Sequence, residues 1–334
     1  MVNALKNSTL IEVAKMAKVS PSTVSRALNN GSISEKNRNR IDEAIKKLNY
    51  RPNAIARSLR GAKSHTVGFV VPDISNPFFT EIIKETGILL KEKGYSILVY
   101  SVLEDLELEK SYIKDIMERR LDGLFITSTS SVFADEYEKL NLEVPVIQMD
   151  RIISNKMCSV RTDNKSGSLQ AVSHLLNKGR RRIAMIAGPQ EYTPGRERYE
   201  GYCEALSLYQ IEQKSEQVAF GDFSIKSGYQ CMKDIISRTP DIDAVYVGNN
   251  FMGVGAIQAL KEMNKVIPCE ISVLMFDDLA LANMTDPSIT VMAQNLPEIG
   301  KAITSIFLER SEQNGLHEIR EMIISPRLIA RNST

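Results

Sequence analysis

TLIEVAKMAKVSPSTVSRALNN, residues Thr9 to Asn30, sets two short helices around a tight turn. Leu10, Val13, Ala14 and Ala17 fall at the i, i+3, i+4, i+7 spacing that gathers apolar side chains on one helical face. Ser20 can cap the second helix, Pro21 suits its first turn because a missing amide proton costs nothing there, and Val24, Ala27 and Leu28 turn inward. The residues left outside are Ser22, Thr23, Ser25 and Arg26. Short hydroxyls and one arginine on an exposed helix are what readout of a DNA major groove needs, since a guanidinium fork fits the O6 and N7 of guanine. Two roles stay open for Arg26, base reader and phosphate clamp.

Outward from this stretch, a third helix is expected from Ser34 to Asn49, with Ser34 as its cap and Ile41, Ala44, Ile45 and Leu48 on its apolar face. Tyr50-Arg51-Pro52 ends it, because proline disfavours helical geometry in the residue before it. Asn53 can then cap AIARSLRG, a short helix with Arg57 and Arg60 on its surface and Gly61 as its stop. So few apolar residues cannot stabilise an isolated helix, and this one is expected to order only on DNA or against a partner copy.

Charge supports the division. Residues 1–63 carry 13 Lys and Arg against 4 Asp and Glu, a balance of +9, whereas the remainder carries 29 against 37, a balance of −8. A basic module joined to an acidic one points to a polyanion partner for the N-terminal part alone. Cys158, Cys203, Cys231 and Cys269 form no metal-ligand or disulfide pattern and are expected as buried thiols. His65, His174 and His317 are isolated and are expected at the surface or in caps. No metal or other cofactor is expected. No apolar run approaches a membrane span and the polar start lacks a signal-peptide core, so a cytoplasmic chain is expected.

From Thr66 the texture changes to apolar runs alternating with amphipathic stretches. TVGFVV, YSILVYS, DGLFIT and VPVIQM read as buried strands between helices at Phe78 to Lys93, Leu106 to Arg119 and Val132 to Leu140. The pattern restarts with helices at Lys165 to Lys178, Arg196 to Leu208, Lys226 to Ser237 and Gly253 to Glu262 around RIAMIAG, AVYVG and ISVLMF. The fold class is therefore α/β: an N-terminal all-α helix-turn-helix domain (1–52), a hinge helix and linker (53–64), and a core (65–334). The core is expected as two doubly wound parallel-sheet subdomains, about 65–162 with 295–324, and 163–294 with 325–334.

Open parallel sheets bind ligands beyond the carboxyl ends of their strands. The residues standing there are Asn76, Phe78 and Phe79, then Asp150 and Arg151, then Arg198 early on its helix, Asn249, Asp277 and Gln294. Carboxylates, amides and arginines beside aromatic plates suit a sugar, whose hydroxyls need donors and acceptors while its C–H face needs an apolar surface. One of the two phenylalanines is expected to be structural, and of Asp277 and Asp278 only the first is expected at the ligand.

The Thr9 to Asn29 motif, the YRPNAIARSLR segment and PDISNPFF, in that order, resemble the LacI/GalR family of bacterial transcription regulators over nearly the whole chain. The resemblance implies a periplasmic-binding-protein-like core and a homodimer reading a palindromic operator, with hinge helices in the minor groove and Leu59 wedged into the central base step. The implied DNA-contacting set is Thr9, Ser20, Pro21, Ser22, Thr23, Ser25, Arg26, Asn29, Tyr50, Asn53, Ala56, Arg57, Leu59 and Arg60. The core is most similar to ribose-binding proteins, which implies a ligand set of Asn76, Phe78, Phe79, Asp150, Arg151, Arg198, Phe223, Asn249, Asp277 and Gln294, and ribose or a similar pentose as effector. Departures stand at Asn250 (usually aspartate), Met275 (usually glycine), Asn295 (usually proline) and Arg180 (often histidine). The first two are expected to border the pocket.

Enzyme signatures fail residue by residue. Gly253 and Gly255 lack the third glycine of a dinucleotide loop, Gly300-Lys301 is followed by Ala302 where a phosphate loop needs a hydroxyl, and no GxSxG elbow occurs. Binding without chemistry is expected: a repressor released by a small sugar, its dimer built on the helices at Phe78 to Lys93 and Leu106 to Arg119. The alternatives are a corepressor-activated or catabolite-control regulator, the latter with a phosphocarrier protein as partner, and a sugar-binding module without a regulatory role.

Overall fold

The computed structural model describes residues 8–28, 31–50, 63–278, 280–312 and 318–334. The chain divides into two units, one ending at Ser64 and the other starting at His65.

Among the described residues the first unit holds three helices, α1 (Leu10–Ala17), α2 (Pro21–Leu28) and α3 (Glu35–Lys47). A capping box starts α1: the Thr9 hydroxyl accepts from the Glu12 amide while the Glu12 carboxylate accepts from the Thr9 amide at 2.7 Å. Lys18, in the left-handed region at φ 53°, ends the helix and turns the chain. Ser20 Oγ then accepts from the Thr23 amide at 3.2 Å and caps α2. Val13, Ala14, Ala17, Val24, Ala27, Ile41 and Ala44 form the shared core, with Tyr50 packed partly against it. Ser34 does occupy the N-cap of α3, yet its side chain makes no cap hydrogen bond, unlike the role expected of it. Asn29, Asn53, Ala56, Arg57, Leu59 and Arg60, with the expected hinge helix, lie outside the described residues.

The second unit runs β1 (Thr66–Val71), α4 (Pro77–Glu92), β2 (Ser96–Ser101), α5 (Leu106–Arg119), β3 (Gly123–Ile126), α6 (Ala134–Asn141), β4 (Val146–Met149) and β5 (Cys158–Thr162). It continues with α7 (Asn164–Asn177), β6 (Ile183–Ala187), α8 (Thr193–Leu208), β7 (Val218–Phe220), α9 (Ile225–Arg238), β8 (Ala244–Val247), α10 (Asn250–Glu262) and β9 (Ser272–Phe276). β10 (Thr290–Ala293), α11 (Leu296–Glu312), β11 (Glu321–Ile324) and β12 (Arg327–Ile329) complete it. Among the described residues the strands form two six-stranded sheets, ordered β11-β5-β4-β3-β1-β2 and β12-β10-β9-β8-β6-β7. Every pairing is parallel except β10 with β12. The chain crosses between the sheets after Thr162, after Ala293 and after Ile324, so three segments join the two lobes.

Central strands are apolar on both faces because helices cover both sides of each sheet. Val67, Phe69, Phe125 and Phe307 pack on one face of the first sheet, and Val70, Leu124 and Tyr137 on the other. In the second lobe α9 and α10 approach so closely that a Cβ at Gly255 would strike the Ile225 carbonyl. Four short strands went unread in the sequence, β5, β7, β11 and β12, as did α11, which absorbs the Gly300-Lys301 pair into a helix. Cys158 and Cys231 are buried as expected, but Cys203 is only half-buried and Cys269, in the turn between α10 and β9, is exposed.

Candidate functional site

The strand-to-helix turns of both lobes meet at a cleft of about 410 Å³, within the ~300–1,000 Å³ of small-molecule sites. All ten cleft residues expected from the sequence line it, from Asn76, Phe78, Phe79, Asp150 and Arg151 in the first lobe to Arg198, Phe223, Asn249, Asp277 and Gln294 in the second.

Two carboxylates occupy equivalent places. Asp150 follows β4 and Asp277 follows β9, both left-handed at φ 60° and 70°, a conformation aspartate tolerates better than most residues. Burial pushes both carboxyls up against the pull of Arg198, the Asp150 carboxyl to about 6. The Asp150 carboxylate has no hydrogen-bond partner among the described residues, which leaves its acceptors for a ligand. Asp277 is partly engaged, accepting from Gln294 Nε2 at 2.6 Å, while the Gln294 carbonyl accepts from the Thr162 hydroxyl. Asp278 turns away to Arg331 at 2.8 Å and does not line this cleft.

Arg198 is 3% exposed and locked in place. Its Nε donates to Asn164 at 2.8 Å, its Nη1 to the Gly248 carbonyl at 2.7 Å, its guanidinium lies 3.7 Å from Asp277, and the Phe276 ring supports it at 3.8 Å. Arg151 is held differently. Both terminal nitrogens donate to Glu104, at 2.9 and 2.6 Å, and its plane rests 3.7 Å from the Tyr192 ring centre. Burial works against its charge, and the Glu104 pair outweighs that effect and raises its pKa. Among the described residues its buried Nε has no hydrogen-bond partner.

The aromatic plates come from both lobes. Phe78 and Phe79 pack edge to face at 5.0 Å on the first turn of α4, both buried in the lobe core while reaching the cleft. Phe223 faces them from the second lobe, itself left-handed at φ 69°, and its ring lies over Gly188 where any Cβ would collide with it. Asn249 holds this arrangement: its Oδ1 accepts from the Met252 amide and its Nδ2 donates to the Phe223 carbonyl at 3.1 Å. Asn76 likewise accepts from the Phe78 amide, and from Asn250 Nδ2 of the other lobe at 3.1 Å. Both asparagines are helix caps as well as cleft residues, so α10 starts at Asn250 and not at Gly253 as expected.

Met275, expected to border the pocket, instead packs beneath Gly253 in the lobe core; Asn250 borders it as expected, buried behind the lining in its bond to Asn76. Glu104, Asp222, Lys226 and Phe251 line it and were missed, as was Tyr192, which backs Arg151 and donates across the lobes to the Thr129 carbonyl at 2.9 Å. In the helical unit Ser22 and Arg26 are exposed, whereas Thr9 and Ser20 act as caps and Thr23 is half-buried beside Ser20.

A basic helix-turn-helix followed in the chain by two parallel-sheet lobes around a polar and aromatic cleft defines a DNA-binding regulator with a small-molecule-binding core. Residues 64–332 match the family of periplasmic binding proteins and the sugar binding domain of the LacI family, residues 9–53 match the bacterial regulatory proteins of the lacI family, and the chain belongs to this LacI family. It is 34% identical to the ribose operon repressor of Halalkalibacterium halodurans, over 98% of this chain and 97% of that one. The Lac repressor dimer bound to operator and the anti-inducer ONPF superposes with a TM-score of 0.86 at 27% identity, over 98% and 99% of the two chains. The complex of the transcriptional regulator CelR with cellobiose gives 0.75 at 28%, over 98% and 100%. The first two of these relatives are repressors and the third a transcriptional regulator, and the chain is a transcription regulator, not an enzyme.

Proposed function

We propose that the protein is a homodimeric repressor that binds a palindromic operator through Ser22, Arg26 and the segment from Asn53 to Arg60, and releases it when ribose or a similar pentose occupies the core cleft. The observation that carries this reading is the pairing of two buried carboxylates, Asp150 and Asp277, with Arg198 between aromatic plates. Sugar hydroxyls donate to such carboxylates and accept from such guanidinium groups, while the ring stacks on Phe78, Phe79 or Phe223. The ribose operon repressor of H. halodurans supports the choice of sugar by its name. Exposed Ile88 on α4 and Met117 on α5 support a dimer contact through those helices. The protein acts in the cytoplasm, where operator DNA and sugar are both available. Fluorescence anisotropy on labelled operator, with and without D-ribose, tests the reading: weaker DNA binding supports induction, and stronger binding assigns corepression instead.

A further inference from the structure

The cleft has an unusual division of charge. Arg198 stands between two carboxylates, whereas Arg151 is matched one to one by Glu104, a residue at the cleft wall that reaches it with both oxygens. Glu104 is 40% exposed along its side chain and the Arg151 side chain only 5%, so the pair joins a solvent-facing acid to a sequestered base. The backbone is strained to place it. Leu103 and Glu104 are consecutive left-handed residues, φ 53° and 55°, in a turn closed by the Asp105 amide on the Val102 carbonyl at 2.9 Å. Glycine and asparagine favour such a turn; leucine and glutamate do not. Strain of this kind persists where a particular side chain is needed.

From this geometry we infer that Glu104 sets the charge class of the effector: it neutralises Arg151, so that the cleft takes a neutral polyhydroxy sugar and rejects the phosphorylated form. The inference rests on the sugar-binding reading above and deepens it. With Glu104 in place its pair with Arg151 carries no net charge, and among the other lining side chains Asp73, Asp150, Asp222 and Asp277 outnumber Arg198 and Lys226. A phosphate would face a surplus of negative charge at short range in a partly water-excluded site. Helix N-termini do not rescue it at three of the turns. The first-turn amides of Phe78, Ser227 and Met252 are already bonded to the side chains of Asn76, Ser224 and Asn249.

Titration calorimetry on the full chain decides the matter with three probes: D-ribose, D-ribose 5-phosphate and inorganic phosphate. Wild-type protein is expected to prefer D-ribose over its 5-phosphate by about 100-fold, and Glu104→Gln to shrink that preference at least about tenfold while strengthening inorganic phosphate by a similar factor. Glu104→Gly, which suits the left-handed backbone, is expected to do the same with no loss of Tm. An unchanged ratio, or equal losses on both sugars as a merely structural pair would give, overturns the inference. Inorganic phosphate separates the two readings: a wild-type chain that ignores D-ribose, beside a variant that gains phosphate affinity, removes the pentose and leaves Glu104 as the charge selector.

Discussion

In the helical head the helix caps bond to residues three positions away, Thr9 with Glu12 and Ser20 with Thr23, and a bond from the Ser8 hydroxyl to the Leu48 carbonyl spans the unit. In the core cleft the partners are remote: Arg198 reaches Asn164 34 residues away and the Gly248 carbonyl 50 away, Gln294 reaches Thr162 across 132, and Asn76 reaches Asn250 across 174. Local bonds shape one helix at a time and are replaceable one at a time. Long-range bonds exist only once distant segments have met, and two of these, Asn76 with Asn250 and Thr162 with Gln294, need both lobes.

Three substitutions sharpen that contrast. Arg198→Ala removes the donor between Asp277, Asn164 and the Gly248 carbonyl, and we expect it to weaken D-ribose by at least about 100-fold, since it leaves buried acceptors unpaired. A thermal-shift titration checks this: the D-ribose-induced rise in Tm should vanish while operator binding without sugar is kept. A full shift in the variant removes Arg198 from the binding site.

Asp150→Asn comes next and separates binding from stability. Burial raises the Asp150 carboxyl from 3.8 to about 6 in the folded chain, so between these values the folded state holds a proton that the unfolded state has lost. This group's contribution is therefore most favourable below about pH 4 and falls as pH climbs to about 6. The amide that replaces the carboxyl cannot ionise, so Asp150→Asn should stabilise the sugar-free chain by up to about 3 kcal/mol at pH 7.5 and by little near pH 4, while D-ribose binding is lost. Equal Tm values for the two proteins at pH 7.5 would show that burial does not penalise the Asp150 carboxylate.

Ser20→Ala is the smallest, about 1 kcal/mol from the loss of one cap. Its effect should stay local: hydrogen exchange at α1 to α3 should quicken while the core amides keep their protection. Quickened exchange in both units would break the contrast between them.

The same contrast explains what could be read from the sequence. The head was legible because capping residues, apolar spacing and exposed hydroxyls lie within one continuous stretch. The buried strands and the residues that follow them were legible because an apolar run announces a parallel strand and its carboxyl end announces the cleft. CSVRT at β5 and RLI at β12 escaped because they are short and of mixed polarity. Glu104 escaped because its turn carries neither glycine nor asparagine, and Tyr192 because its role depends on Arg151 and Thr129 in the opposite lobe. Asn249 was placed in the cleft, but its double duty as helix cap and Phe223 anchor is visible only in three dimensions.

In the function proposed above, cleft occupancy controls the DNA-binding head, and linkage requires the coupling to be reciprocal. Its most direct test is the anisotropy of a labelled duplex, selected from a random pool by the protein itself, titrated with the full chain with and without saturating D-ribose. The account predicts that D-ribose weakens operator binding at least about tenfold, a coupling of about 1.4 kcal/mol, and that Arg198→Ala abolishes the effect. Operator affinity unchanged by D-ribose, on protein shown to bind the sugar, would contradict it.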